Sequence, residues 1–246
     1  MPTPAFFSWS GGKDSCLALH HALSCDTNGE PHYDVRRLLA MFDETGDSSR
    51  SHGLPRELMQ AQADALGIAL DVGQAGWRDY EAAFVGCLHE MRTTGITHGL
   101  FGDIDLQPHR DWEEKVCAAA GMTAVLPLWQ RERLALAHEF ISLGYRAVIV
   151  CVDGRHLGPE FVGRDYDASL LADLPETVDA CGENGEFHTF AYDGPRFSHA
   201  VSWRIERVET IHGPKEYGGT PYHRAHIVGA AGSVGQRSVD QSGAVN

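Results

Sequence analysis

Residues 10–15 read Ser-Gly-Gly-Lys-Asp-Ser, and each residue type in that order has something to offer a phosphate. Glycines at Gly11 and Gly12 let backbone amides approach an anion that a Cβ would hold off. Lys13 adds a cation, expected to be mobile, and Asp14 can hold a magnesium ion that bridges phosphate oxygens. Ser10 and Ser15 can cap a helix or donate to phosphate. The spacing is not that of the Walker loop, which needs four residues between its first glycine and the Gly-Lys pair. On shape alone the stretch is either a phosphate cradle or a capped turn.

Three other groups carry chemistry. Residues 182–189, Gly-Glu-Asn-Gly-Glu-Phe-His-Thr, are dense in polar groups and read as a loop flanked by strand residues. There Glu183 and Glu186 can take a proton from an attacking amine and Asn184 can orient it, with a plain hairpin as the alternative. Gly102 and Asp103 end a strand-like run, where doubly wound sheets contact ligands; Asp103 would otherwise cap the next helix. His109 and Glu113 are four apart and share a helix face, and Arg110 beside them can clamp a carboxylate or phosphate. A solvated face is the plain alternative. His52 can stack on or bond a base, or be incidental.

The elements that must position these residues alternate along the chain. Strand-like runs at 5–9, 35–42, 69–72, 97–102, 123–126 and 147–152 are interleaved with helical spacing at 13–24, 54–66, 80–93, 112–120 and 131–143. Pro55 is acceptable in a first turn, and Gly67, Gly95, Gly121 and Gly144 act as stops. This alternation predicts an α/β fold with a parallel sheet covered on both faces. After Asp153 Gly, Pro and Asp become frequent. The pattern then gives one short helix, 168–173, and strands at 198–209 and 220–228, a smaller α+β domain. The boundary falls between 129 and 154, so the expected division is 1–130, 131–228 and a disordered tail at 229–246.

Composition excludes several classes. The 246 residues are 43% hydrophobic and 22% charged, ordinary for a soluble globular protein. A net charge of −14, from 34 acidic and 20 basic residues, opposes generic nucleic-acid binding, which needs a basic face. No apolar run reaches membrane-spanning length and no leader pattern precedes Phe6. The six cysteines are scattered without a CxxC pair, which predicts a reducing, cytoplasmic location. The fourteen histidines show no paired ligand spacing, so magnesium through Asp14 is the one metal expected.

The order Ser10-Gly11-Gly12-Lys13-Asp14-Ser15 after a first strand resembles the PP-loop of the ATP pyrophosphatase superfamily. Those enzymes split ATP between its α and β phosphates, and the loop grips the departing pyrophosphate. Downstream, SHGLPRELMQAQADALGI (51–68), GLFGDIDLQPHRDWEEKVCAAAGMTAVLPLW (99–129) and CGENGEFHTFAYDGPRF (181–197) are similar, in the same order, to the diphthine–ammonia ligase family. The resemblance covers about residues 5–200. It implies a Rossmann-like (adenine nucleotide alpha hydrolase-like) domain, with a second domain that closes over the site. It also implies an ATP-dependent, AMP-forming amide ligase that adenylates a carboxylate acceptor and admits ammonia or an amine.

On this reading Ser10 through Ser15, Gly102 and Asp103 bind the nucleotide, and Lys13, Asp14, Glu183 and Glu186 are catalytic. His109, Arg110, Glu113, Asn184 and His188 line the acceptor cleft. The chain departs from the eukaryotic members at His188, where their pattern carries an acidic residue. Two other classes compete: a tRNA-modifying enzyme of the same superfamily, which often uses a reactive cysteine, and a non-catalytic adenine-nucleotide sensor. Cys181 is the one cysteine inside a motif. Homo-oligomerisation is left open.

Overall fold

Ala5, Phe6 and Phe7 are completely buried, and a strand with no exposed face has to be an internal one. They lie in β1 (Thr3–Ser8). The strands β2 (Tyr33–Phe42), β3 (Ala69–Gln74), β4 (His98–Leu100) and β5 (Thr123–Val125) complete a five-stranded parallel sheet in the order β3-β2-β1-β4-β5. The structure, a computed structural model, describes residues 2–25, 29, 31–212 and 219–230.

Successive side chains of a strand face opposite ways, and the two phenylalanines show it. Phe6 packs edge-on against Phe84 and Phe101, with centroids 6.4 and 6.0 Å away. Its face is covered by α3 (Tyr80–Thr93) and α4 (Gln107–Ala119). Phe7 enters the other core, which is covered by α1 (Lys13–Ala22) and α2 (Arg56–Leu66). Gly67 ends α2 in the left-handed region, at φ 69°, which glycine enters without steric cost.

The second sheet is antiparallel, in the order β7-β6-β9-β8, and is built from β6 (Arg146–Asp153), β7 (Phe187–Asp193), β8 (Trp203–His212) and β9 (Pro221–Gly229). Helix α5 (Arg133–Ser142) leads into it, and α6 (Ala168–Asp173) lies between β6 and β7. Helix α1 touches β7 and α2 touches β9. The two helices are therefore shared between the sheets, and one apolar cluster runs from Phe7 through Leu17 to Val148 and Phe190.

The fold class is the one expected, with local differences. Residues 187–193 form a full strand where only flanking strand character was expected, because His188 and Thr189 pair with Cys151 and Ile149 of β6. Helix α4 begins at Gln107, five residues before the expected 112, with Pro108 in its first turn. The strand expected from 198 starts at Trp203, because the amide and hydroxyl of Ser198 both donate to the Ala65 carbonyl at 2.8 Å. Of the expected disordered tail, Gly229 instead closes β9, and 231–246 lie outside the described residues. Among the described residues no helix is long and apolar enough to cross a membrane.

Candidate active site

The chain lays β2 and β3 on one side of β1 and then crosses to β4 on the other. That reversal opens a crevice at the carboxyl ends of β1 and β4. Residues 10–15 follow β1, and Gly102 and Asp103 follow β4, so both arrive there. The first turn of α1 adds the positive end of a helix dipole. A Cβ on Gly102 would stand 3.1 Å from the Ser15 nitrogen and 3.2 Å from its Cα, so glycine there lets the two loops meet. The crevice is a cleft of about 940 Å³ lined by residues of both sheets, including Ser10, Lys13, Asp14, Ser15, His52, Gly102 and Asp103 from the first half of the chain.

The 10–15 loop is braced from outside itself. Gly11 has φ 78°, and a Cβ there would lie 2.6 Å from Leu54 Cδ1 and 2.8 Å from Gln62 Oε1. The wholly buried Gln62 accepts from Trp9 Nε1 at 2.9 Å and donates to the carbonyls of Gly11 at 2.9 Å and Ala191 at 2.6 Å. Strand β7 adds two bonds: Ala191 N–H donates to the Gly11 carbonyl at 2.9 Å, and Lys13 N–H donates to Thr189 Oγ1 at 3.0 Å. The Ser10 and Ser15 hydroxyls are 2.7 Å apart, and Gly12 N–H donates to Ser10 Oγ at 3.3 Å. Neither serine caps α1, whose N-cap is Gly12 with no side-chain bond.

Lys13 is not the mobile cation expected of it. It is 3% exposed, and Nζ donates to Asp14 Oδ2 at 2.7 Å and to the Cys181 carbonyl, above the rings of Tyr166 and Phe187 at 5.4 and 5.5 Å. Burial alone would lower its pKa, but Asp14, Cys181 and Glu183 outweigh it, so the ammonium is held. Burial raises the Asp14 pKa against the pull of Lys13. The Cys181 thiol donates to the Arg133 carbonyl at 3.2 Å, and burial pushes it up to about 12. It is an inert thiol at neutral pH.

The loop before β7 places Glu183 in the cleft and keeps Glu186 out of it. Glu183 Oε1 accepts from Ile104 N–H at 3.2 Å, in the loop after β4. Burial, then the charges of Asp14 and Asp103, raise its pKa to about 7 despite that bond. Glu186 is 2% exposed and turned into its own loop. It accepts from Asp179 N–H at 3.2 Å, Asn184 N–H at 3.0 Å and Asn184 Nδ2 at 3.0 Å. Those bonds outweigh burial and keep its pKa low. The expectation that Glu186 takes a proton from an amine is corrected: every bond it makes shapes the loop. Asn184 does line the cleft.

A residue missed in the sequence joins the two halves. Arg133 forks onto Asp105, Nε to Oδ2 at 2.8 Å and Nη2 to Oδ1 at 2.5 Å, and reaches Asp179 Oδ2 at 3.3 Å. Asp179 in turn accepts from Glu183 N–H at 2.8 Å. Nothing in the sequence around Arg133 marks it, because its partners lie 28 and 46 positions away.

Helix α4 forms the opposite wall. Asp103 does not cap it; the N-cap is Leu106. Its Oδ1 instead bonds His109 Nδ1 at 2.6 Å, and this bond raises the His109 pKa. Glu113 is 4% exposed and lines the cleft. Burial, then Asp103, pushes its pKa up to about 11, so its carboxyl is neutral at pH 7. Arg110, expected as a clamp, bonds Glu114 at 2.7 Å and covers the Trp129 ring at 5.0 Å. It is outside the cleft lining, drawn to its i+4 carboxylate.

His52 and His188 close the third side, with rings 4.8 Å apart. His52 Nδ1 donates to the Thr189 carbonyl at 2.7 Å. Burial and the facing His188 lower its pKa to about 3, while burial and Lys13 lower that of His188 to about 4. Both rings are neutral at pH 7.

The diphthamide synthase N-terminal domain family matches residues 4–124, which hold the 10–15 loop and most of α4's wall, and the diphthamide synthase C-terminal domain family matches 132–216, which hold Arg133 and Glu183. A diphthine–ammonia ligase of Danio rerio is 26% identical over 230 residues, which cover 82% of this chain and 86% of the fish protein. The protein of the same name from Homo sapiens is 27% identical over 219 residues, covering 78% of this chain and 79% of its own. That of Schizosaccharomyces pombe is 23% identical over 216 residues, 78% of this chain and 34% of the larger fungal protein. With both domain families matched in order across the two sheets that wall one cleft, the chain belongs to the diphthine–ammonia ligase family.

Proposed function

We propose that the protein uses ATP to adenylate a carboxylate and passes the acyl group to ammonia or an amine, releasing AMP and pyrophosphate. One observation carries this reading: the Lys13–Asp14 pair and the Glu183 carboxyl, which titrates near 7, share one cleft. The first suits a leaving pyrophosphate and the second an incoming amine.

In the first half-reaction a carboxylate oxygen attacks the α-phosphorus, and charge builds on the oxygen that leaves with the pyrophosphate. On this reading Lys13 and the α1 amino terminus stabilise that charge, and preorganised donors of this kind contribute several kcal/mol, about 3 for a single one. The carboxylates of Asp14, Asp103 and Glu183 in the cleft offer hard oxygen donors, which suit magnesium. Magnesium on Asp14 would neutralise charge on the pyrophosphate.

In the second half-reaction Glu183 accepts the amine's proton, at a pKa near working pH, and Asn184 orients the amine. His109, Glu113 and His188 stand on the acceptor side. On this reading 1–130 holds the nucleotide and, through His109 and Glu113, one wall of the acceptor side, while 131–228 closes over it. The relatives are named for diphthine, which makes a diphthine-bearing protein the first acceptor to try. The buried, high-pKa Cys181 weighs against a thiol-using tRNA modification.

The test is incubation with α-labelled ATP, magnesium, ammonium and a diphthine-bearing protein. AMP and pyrophosphate are expected. ADP and phosphate would refute the reading, and ATP binding without turnover would favour the sensor.

A further inference from the structure

Glu113 Oε2 is buried and has no hydrogen-bond partner, although its residue lines the cleft and is 96% shielded from solvent, being 4% exposed. Buried polar atoms are ordinarily satisfied, so an orphan marks something missing. The chemistry of the hole is specific. Glu113 and Asp103 stand close enough for each to shift the pKa of the other, and Glu113 Oε2 is left without a partner. Asp103 Oδ1 is taken by His109, and Glu183 Oε1 by Ile104 N–H. All three carboxyl groups line the same cleft.

The partner that completes such a hole donates hydrogen bonds in several directions, accepts none, carries positive charge and is small. Ammonium has that inventory: like a lysine head group, it is all donor. The charge balance agrees. Asp14, Asp103 and Glu183 face the cleft with Lys13, and Lys13 is already engaged by Asp14. Of the two lysines among the described residues, Lys13 is held by Asp14 and the Cys181 carbonyl and Lys115 bonds Glu81.

We propose that Asp103 and Glu113 bind the ammonium ion that supplies the nitrogen of the amide, with Glu183 as its third oxygen partner. This rests on the adenylation reading. Ammonium gives one proton to the Glu183 carboxylate, and the nitrogen lone pair that this frees forms the C–N bond. The C–O bond to AMP breaks with its electron pair going to the AMP phosphate, which also receives the second proton from nitrogen. Glu113 and Asp103 hold the ion and are not themselves bonded to carbon.

The deciding experiment compares thermal midpoints of the full chain in ammonium, sodium and tetramethylammonium chloride at equal ionic strength. A ligand of the folded state raises the midpoint saturably; ammonium is expected to add about 2 °C or more over sodium. Glu113→Gln turns an amide donor into the hole and should abolish the increment, as should Asp103→Asn. Equal midpoints in ammonium and sodium would overturn the proposal. So would an increment that survives both substitutions, or one produced by tetramethylammonium alone, which would assign the pocket to an alkylated cation. Water filling the hole predicts no difference between salts and is refuted by the expected result. Pyrophosphate exchange into ATP by the wild-type protein with a diphthine-bearing protein checks the underlying reading apart: its absence beside an intact ammonium increment removes the adenylation and leaves the ion site.

Discussion

Gln62→Leu should damage both stability and nucleotide binding, although Gln62 is outside the cleft lining. Leucine fits the volume, so the effect is one of hydrogen bonds. Trp9 is 3% exposed, and its indole N–H loses the 2.9 Å acceptor it has in Gln62, an orphaned buried donor costing about 1–3 kcal/mol. The Gly11 carbonyl keeps the Ala191 amide at 2.9 Å, so it loses one bond of two, about 0.5–1.5 kcal/mol. The Ala191 carbonyl loses its 2.6 Å partner at a similar cost. The total, about 2–6 kcal/mol, is a large part of the about 5–15 kcal/mol that holds a domain folded. It corresponds to a thermal midpoint lower by about 5–15 °C. The assay is urea unfolding followed by tryptophan fluorescence, with Gln60→Leu as control. Gln60 is exposed and bonds only Asp64, at 2.8 Å, so its replacement should stay within about 0.5 kcal/mol. Because Gln62 ties Gly11 to β7, the folded variant should also bind ATP at least about tenfold more weakly, about 1.4 kcal/mol. A Gln62→Leu cost below about 1 kcal/mol, or unaltered ATP affinity, would refute the bracing argument.

Glu183→Gln should still exchange pyrophosphate into ATP while amide formation falls by about 10²–10⁴-fold; the wild-type amide rate should rise through about pH 7 as Glu183 ionises, and the variant should lack that rise. Loss of exchange would move Glu183 to the nucleotide half. Lys13→Ala should abolish turnover at saturating ATP, measured as AMP release, and lower stability by about 3 kcal/mol because Asp14 keeps a partly buried charge without its partner. Activity equal to wild type would take the loop out of the mechanism. His188 is neutral in the fold down to about pH 4 but protonates near 6.5 once unfolded, so below 6.5 the unfolded state binds the extra proton. Stability present above pH 6.5 should therefore fall by up to about 3 kcal/mol on the way to pH 4, a slope that His188→Gln should reduce in urea titrations at stepped pH.

Much of this molecule was decided locally. The run of Ala5, Phe6 and Phe7 into Gly11 and Gly12 dictates a buried strand, a tight loop and a helix start, because neighbours in sequence settle those dihedrals and that burial. The alternation of elements implied a parallel sheet, and residues of the motifs at 10–15 and 182–189 both line one cleft. What tertiary structure decided is which groups face each other. Lys13 is a fixed cation because Asp14 and a carbonyl 168 positions away hold it. Glu183 and Glu186 are three apart and similar in sequence context, yet one has the Ile104 amide as partner and faces the cleft, while the other turns inward. Arg133 and Gln62 act only through residues distant in the chain. Local sequence sets propensity and burial pattern, whereas a pKa or an ion pair depends on charges and solvent brought within a few ångströms by the packed fold.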